Sequence, residues 1–145
     1  MRTHHENMNL NWLNDMEDFV TYEIAVKLKE KGFNDECNAY YEPLKHCLNL
    51  SRVLQTNSLT ENYNCITAPT ISQVLKWLRE VKGIDVLPQR GHINLDNNGK
   101  VTRYYNVNIY FERRFACTLD NDEQDYSPYE QAALAGIEYV IDNLI

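Results

Sequence analysis

The sequence predicts an α+β fold, with a mainly antiparallel sheet of four to six strands and about three helices packed on one face. Three segments carry apolar residues at helical spacing, and strand patterns occur between them in adjacent runs separated by short turns. The chain has 145 residues, of which 43% are hydrophobic and 24% are charged, as expected for about one globular domain. We therefore expect residues 17–145 to form a single α+β domain that follows a flexible N-terminal tail of residues 1–16.

The first helix is predicted over residues 18–31. Ile24, Ala25 and Leu28 fall on one of its faces at helical spacing. Gly32 supplies a residue that can adopt the left-handed conformation, and Phe33 can fold back onto the helix end. The helix should therefore end at Gly32.

The region after this helix predicts a hairpin and then a loop. Residues 37–43 form a short strand that Pro43 closes, and residues 46–50 form its partner. Residues 51–67 are polar and rich in Asn, Ser and Thr, so we expect a long loop there with at most one helical turn near Val53–Leu54.

The second helix is the best-specified element. Thr70 and Gln73 form a capping box just after Pro69, and Gly83 closes the helix. Trp77 sits beside the apolar stripe, where burial is the more frequent outcome for a large aromatic residue. The stripe that should face the core consists of Ile71, Val74, Leu75, Leu78 and Val81.

The next region predicts strands joined by tight turns. A short strand over residues 84–89 is limited by Pro88. Residues 92–95 form a strand that pairs with the alternating run 101–112 through a turn at Asn97–Gly99. Residues 115–119 form a last strand. In the alternating run, one face should meet the helices and carries Val101, Arg103, Tyr105, Val107, Ile109 and Phe111. The other face should meet solvent and carries Thr102, Tyr104, Asn106, Asn108, Tyr110 and Glu112.

The last helix follows an acidic loop of residues 120–125. Ser127, Pro128 and Glu130 are the N-cap, the first helical position and the capping-box partner. The apolar face of this helix consists of Ala133, Ile137, Val140, Ile141 and Leu144.

Charge and composition restrict the partners and the compartment. The net charge of −7 disfavours nucleic acid and anionic membranes as partners. No apolar run approaches the length of a bilayer span, and the polar N-terminus lacks a secretory signal. We expect a cytoplasmic protein without membrane association, in which the cysteines are reduced thiols.

Sequence motifs for catalysis, cofactors and metals are missing. There is no phosphate-binding glycine loop, no nucleophile elbow and no local signature of a cysteine enzyme. A zinc site drawn from Cys37, His46, Cys47 and Cys65 is awkward because adjacent residues on a strand point to opposite sides. An EF-hand register that starts at Asp120 also fails, because its sixth and twelfth positions hold Asp125 and Gln131. We therefore predict no catalytic, cofactor-binding or metal-binding residues and no cofactor.

The strand over residues 103–114 mixes aromatic and basic side chains. This composition suits a platform on which the bases of single-stranded nucleic acid stack, although the strand lacks the glycines of the RRM consensus. It equally suits a protein–protein interface, where Tyr and Arg are enriched. The candidate interaction surface consists of Trp77, Arg103, Tyr104, Asn106, Asn108, Tyr110, Arg113 and Arg114.

Three segments of the chain carry a resemblance to other proteins, and they are FVTYEIAVKLKEKGF with the following CNAYY, APTISQVLKWLREVKGI, and YEQAALAGIEYVIDNLI. Together they resemble small uncharacterised proteins of Bacteroides-type gut bacteria and their phages or prophages. The anchor of the resemblance is A-P-x-x-x-Q-x-x-x-W-x-R-E, whose residues here are Ala68, Pro69, Gln73, Trp77, Arg79 and Glu80. The resemblance carries no catalytic or binding residues and implies an accessory protein of a mobile element inside the bacterial cell.

The leading functional prediction is a non-enzymatic binding or interaction accessory protein of phage or prophage origin, which holds a protein partner or self-associates. One alternative is a single-stranded nucleic-acid-binding protein that uses the aromatic and basic strand over residues 103–114. A small enzyme of unknown class is the second alternative.

Overall fold

The computed structural model describes residues 19–120 and 129–145, and it divides the chain into two compact units, Met1–Ser72 and Gln73–Ile145. The predicted tail of residues 1–16 and most of the predicted acidic loop lie outside the described residues, as do Ser127 and Pro128 of the predicted helix start. The prediction of one domain over residues 17–145 stays a prediction.

The described residues form four α-helices, one short 3₁₀ helix and six strands. The helices are α1 (Tyr22–Glu30), α2 (Asn57–Thr60), α3 (Ile71–Val81) and α4 (Tyr129–Asn143), and the 3₁₀ helix is Glu61–Tyr63. The strands are β1 (Cys37–Tyr41), β2 (Leu48–Gln55), β3 (Ile66–Thr67), β4 (Ile84–Leu95), β5 (Val101–Phe111) and β6 (Arg114–Leu119). They form two three-stranded sheets, in the orders β2-β1-β3 and β4-β5-β6. Every strand pair among the described residues is antiparallel, so the predicted α+β class with mainly antiparallel pairing is confirmed.

Helix α1 begins at Tyr22, four residues later than predicted, and its end agrees with the prediction. The Thr21 hydroxyl accepts a hydrogen bond from the Ile24 backbone N–H at 3.3 Å, which caps the first turn. At the other end Gly32 has φ +89°, and the Phe33 N–H donates to the Leu28 carbonyl at 2.9 Å. The predicted end of the helix is therefore confirmed, and the buried face of α1 packs against β3.

The prediction of a long loop over residues 51–67 is wrong, as is the helical turn near Val53–Leu54. Strand β2 continues to Gln55, with an irregular register against β1, and is followed by α2, the 3₁₀ helix and β3. The Thr56 hydroxyl accepts from the Leu59 N–H at 3.2 Å, so one of these polar residues caps a helix. Asn57 is buried, so another of them belongs to the interior.

Helix α3 confirms the second predicted helix. Gly83 has φ +69° just beyond it, as its closing role requires. Most of the stripe is buried, but Val81 at the C-terminal end is 61% exposed. Trp77 is buried, the outcome that its position beside the stripe favoured.

The sheet β4-β5-β6 is built from two hairpins. Strand β4 runs unbroken through Pro88, which is tolerated because β4 lies at the sheet edge. The predicted turn to β5 is confirmed, and the Asp96 carboxylate accepts from the Asn98 and Lys100 backbone N–H groups at 2.9 and 2.8 Å. The turn to β6 is formed by Glu112 and Arg113, both in the left-handed region, and β6 begins at Arg114, one residue earlier than predicted.

Helix α4 packs on one face of this sheet, against β4 and β5. Its buried residues include Ala133, Ile137, Val140 and Ile141 of the predicted apolar face, together with Gly136. An added Cβ at Gly136 would lie 2.5 Å from a Val86 methyl and 2.7 Å from a Val107 methyl. The absence of a side chain at Gly136 therefore allows the helix to approach the sheet closely. None of the helices in the described residues is both long enough and apolar enough to cross a bilayer.

Candidate interaction surface

Strand β5 presents two chemically different faces. Val107 and Ile109 are fully buried on the side where α4 packs, which confirms the direction of the predicted alternation. The residues that alternate with this buried set along the strand point to the opposite side of the sheet, because successive side chains of a strand alternate. Tyr104, Asn106, Asn108 and Tyr110 are half-buried there.

The antiparallel register extends this second side across the sheet. Gln89 and Leu87 of β4 lie opposite Asn106 and Asn108, and Asp85 lies opposite Tyr110. On the other flank, β6 places Thr118 opposite Asn108 and Phe115 opposite Tyr110. We call this surface the outer face. It consists of Asp85, Leu87, Gln89, Tyr104, Asn106, Asn108, Tyr110, Phe115 and Thr118.

A hydrogen-bonded ladder crosses the outer face from edge to edge. The Asn108 amide nitrogen donates to the Gln89 side-chain oxygen at 2.8 Å. The Asn108 amide oxygen accepts from the Thr118 hydroxyl at 2.7 Å. One side chain from each strand is thereby fixed in orientation, so the centre of the outer face is ordered before anything binds to it.

Aromatic side chains lie beside the ladder. The rings of Tyr110 and Phe115 meet edge to face, with their centroids 5.7 Å apart. Phe115 is nevertheless 59% exposed and Leu87 is 42% exposed. The outer face therefore combines fixed amide groups with apolar surface that remains in water.

Asn106 is the incompletely satisfied member of the outer face. Its side-chain oxygen is buried and has no hydrogen-bond partner among the described residues. A buried acceptor without a donor costs roughly 1–3 kcal/mol. Because this oxygen is buried, it is not accessible to a group that binds on the outer face.

Four residues of the predicted interaction surface lie elsewhere. Arg103 is on the side of the strand that Val107 and Ile109 occupy, and Arg114 pairs with Phe111 on that same side. Arg113 lies in the turn before β6. Trp77 is only 5% exposed, with the Lys82 ammonium 5.3 Å from its ring centroid. The aromatic and basic residues of the strand therefore do not form one platform.

The remaining outer-face residues were missed because they belong to neighbouring strands. Leu87, Gln89, Phe115 and Thr118 carry no motif of their own. Their faces depend on the register of the two hairpins, and each hairpin contains a shift of one residue, between Arg90 and Ile93 in β4 and beside Tyr110 where β5 pairs with β6. Counting outward from the turns would therefore place Leu87, Gln89 and Thr118 on the wrong face, because a slip of one residue moves a side chain to the other side of the sheet.

The thiols do not form a reactive or metal-binding cluster. Burial raises the pKa of Cys37 to about 11, which leaves its thiol protonated at neutral pH. Cys47 is exposed, and the neighbouring His46 stacks on Tyr22 with ring centroids 3.7 Å apart. Within residues 19–120 and 129–145 no three Cys, His, Asp or Glu side chains are placed to hold a metal ion.

A cavity of 340 Å³ lies in the first unit. Among the described residues, its lining contains hydroxyl, phenol, amide and thiol groups and no Asp, Glu, His, Lys or Arg. The cavity is lined by Tyr40, Ser51, Gln55, Thr60, Tyr63 and Cys65.

Comparison of the chain with protein-family models, with curated proteins and with solved structures found no match.

Proposed function

We propose that this chain is a non-enzymatic interaction protein that binds a protein partner through the outer face. The observation that carries the proposal is the combination of an exposed aromatic group at Phe115 with the fixed amide ladder through Asn108. Interfaces are enriched in aromatic residues and use a small number of oriented polar groups for specificity.

The charge of the outer face favours protein over nucleic acid. Asp85 is the charged residue among the nine that define it, and the chain carries a net charge of −7. A phosphate backbone would find no cation on this surface. A partner with apolar side chains and neutral hydrogen-bonding groups would suit it better.

The biological context of the proposal rests on the sequence alone. The resemblance anchored on Ala68–Glu80 supports an accessory role in a phage or prophage, and with it a cytoplasmic location. The outer-face proposal does not depend on this origin.

A capture experiment with matched variants tests the outer face. The double substitution of Tyr110→Ser and Phe115→Ser removes two of its aromatic rings, whereas Phe111→Ser removes a ring from the opposite side of the same strand, where Phe111 is 42% exposed. We expect the wild type and Phe111→Ser to enrich the same host or phage protein, identified by mass spectrometry. The double variant should lose it.

Two results would contradict the proposal. One is capture of the same protein by all three forms, and the other is a specific partner lost by Phe111→Ser but kept by the double variant. Fluorescence anisotropy of a labelled single-stranded oligonucleotide at low salt tests the nucleic-acid alternative. That alternative would be supported only if the wild type bound the oligonucleotide and the Arg103→Ala variant did not bind it.

A further inference from the structure

The hairpin of β4 and β5 extends beyond the rest of its sheet. Strand β6 pairs with β5 only from Val107 to Phe111, so the earlier part of β5 has β4 as its neighbour in the sheet. We call residues 90–105, whose base is the pair Arg90–Tyr105, the arm. Five to six residues in each strand give it a length of about 20 Å.

Helix α4 reaches only the base of the arm. Its first residue, Tyr129, meets Tyr105 edge to face with ring centroids 5.5 Å apart. Further along this helix of 15 residues, Gly136 lies against Val86 and Val107, which belong to the part of the sheet outside the arm. A two-stranded ribbon that lacks a third strand or a covering helix is at best marginally stable in water.

The arm carries apolar side chains that remain in water. Leu95 lies opposite Val101, and Ile93 lies opposite Arg103, so the three apolar residues share one side of the ribbon. Ile93 is 60% exposed, Leu95 is 67% exposed and Val101 is 48% exposed. This side is the one that α4 covers nearer the base, so it is distinct from the outer face.

The net charge of the arm indicates which kind of partner would cover it. The arm contains Arg90, Lys100 and Arg103 against Asp96, a net charge of +2 with His92 neutral. Since the whole chain carries −7, the remaining residues carry −9. The arm is therefore a basic, apolar ribbon in an acidic protein, and the rest of a second copy of the same chain has a net charge of opposite sign.

We propose that the arm binds a second copy of this chain and makes the protein a homo-oligomer. Arm-to-arm contact would set like charges against each other, so the arm should dock on the acidic remainder of the second copy. A reciprocal exchange of two arms would close the assembly as a dimer. This proposal concerns a different surface from the proposed function and does not depend on it.

Sedimentation equilibrium of the full chain tests the proposal. We expect a mass above the monomer at micromolar concentration, with weaker association at about 0.5 M salt than at about 0.05 M salt, because salt screens the attraction. Ile93→Thr combined with Leu95→Thr should weaken self-association about tenfold or more, since two apolar side chains no longer leave water. Val53→Thr, at a position that is 67% exposed in β2, is the matched control and should associate like the wild type.

A second pair of variants keeps the test decisive if the double variant fails to fold. Val101→Thr is nearly isosteric and should also weaken association, and Arg103→Glu should weaken it at low salt with little effect at high salt. A strictly monomeric wild type would overturn the proposal, as would unchanged association of folded arm variants. Arm variants that become monomeric should still capture the outer-face partner, so the two proposals can fail separately.

Discussion

Both units of this chain have apolar cores, but they differ in what adds to them. In the first unit, buried polar side chains also bond to backbone groups of distant segments. In the second, apolar side chains of a helix pack closely on a sheet. The comparison matters because the first arrangement depends on the positions of single atoms, whereas the second depends on volume.

Asn57 is the centre of the polar arrangement in the first unit. Its amide nitrogen donates to the Phe33 carbonyl at 2.7 Å, and its amide oxygen accepts from both the backbone N–H and the hydroxyl of Thr67 at 3.0 Å. Asn57 is 6% exposed and Thr67 is 1% exposed. One side chain thus joins the end of α1 to β3, in a region where the hydrogen bonds are shielded from water.

Gly136 is the residue on which the close packing in the second unit depends. Val86 and Val107 occupy the space that a side chain at Gly136 would need. No directional bond is involved, and complementary shape determines the distance between α4 and the sheet. The unit should therefore tolerate changes of polarity at its rim better than changes of volume at this point.

The largest effect should come from Asn57→Ala. The substitution removes the hydrogen bonds of the Asn57 amide with the Phe33 carbonyl and with the Thr67 N–H and hydroxyl, and the loss of its partner costs a buried polar group roughly 1–3 kcal/mol. We expect the free energy of unfolding of the first unit to fall by about 3 kcal/mol, measured by urea denaturation. Ser58→Ala, at the neighbouring exposed position, should change it by less than about 0.5 kcal/mol.

Hydrogen exchange can show whether the loss is local. Amides in residues 37–41 and 66–68 should exchange faster in Asn57→Ala, because they lie around the lost bonds. An equal increase of the exchange rate in residues 84–111 would contradict the claim that the Asn57 hydrogen bonds stabilise the first unit. An unfolding free energy of Asn57→Ala equal to that of Ser58→Ala would also contradict it.

A smaller effect should come from Gly136→Ala. The new methyl group meets two valine side chains closer than contact distance, and such overpacking costs about 1–3 kcal/mol. Ala is the better helix former by about 1 kcal/mol, so the net loss of stability should be about 1 kcal/mol. Gln131→Ala on the exposed side of α4 is the control and should be neutral or slightly stabilising. A stabilised Gly136→Ala protein would show that α4 does not depend on this close approach.

The same difference explains how much of each unit could be predicted from the sequence. The second unit was largely predicted, because alternation in β5 and the turn residues at Asn97–Gly99 report directly on the hairpin. The first unit failed over residues 51–67, because Asn57 and Thr67 look like loop residues in sequence. Their burial depends on partners such as Phe33, which lies 24 positions away from Asn57 and leaves no periodic signal.

The candidate site was predicted in part for a related reason. Tyr104, Asn106, Asn108 and Tyr110 lie on the outer face, as the alternation indicated. The arginines were grouped with them because they are near in sequence, whereas strand geometry separates Arg103 from Tyr104. Sequence distance is a poor guide to a surface when successive residues point to opposite sides.

The smallest predicted effect is a pH dependence of the unfolding free energy that comes from Cys37 in the first unit. Cys37 is fully buried in the first unit, and desolvation raises its pKa from 9.0 to about 11. In the unfolded chain the thiol ionises from about pH 9, whereas in the folded chain it stays protonated, so the unfolded state gains stability as pH rises. We expect a loss of about 1 kcal/mol of unfolding free energy between about pH 8 and about pH 10, after allowance for partial solvation.

Comparison with Cys37→Ser isolates this contribution. The hydroxyl does not ionise in this range, so the variant should lose less stability between the two pH values, whatever its stability at pH 8. The pKa of Tyr41 is also raised by burial, which contributes alkaline instability of the same sign in both proteins and cancels in the difference. Equal pH slopes for the wild type and Cys37→Ser would mean that the Cys37 thiol is solvated, and the first unit would then lack the dry interior on which its polar network depends.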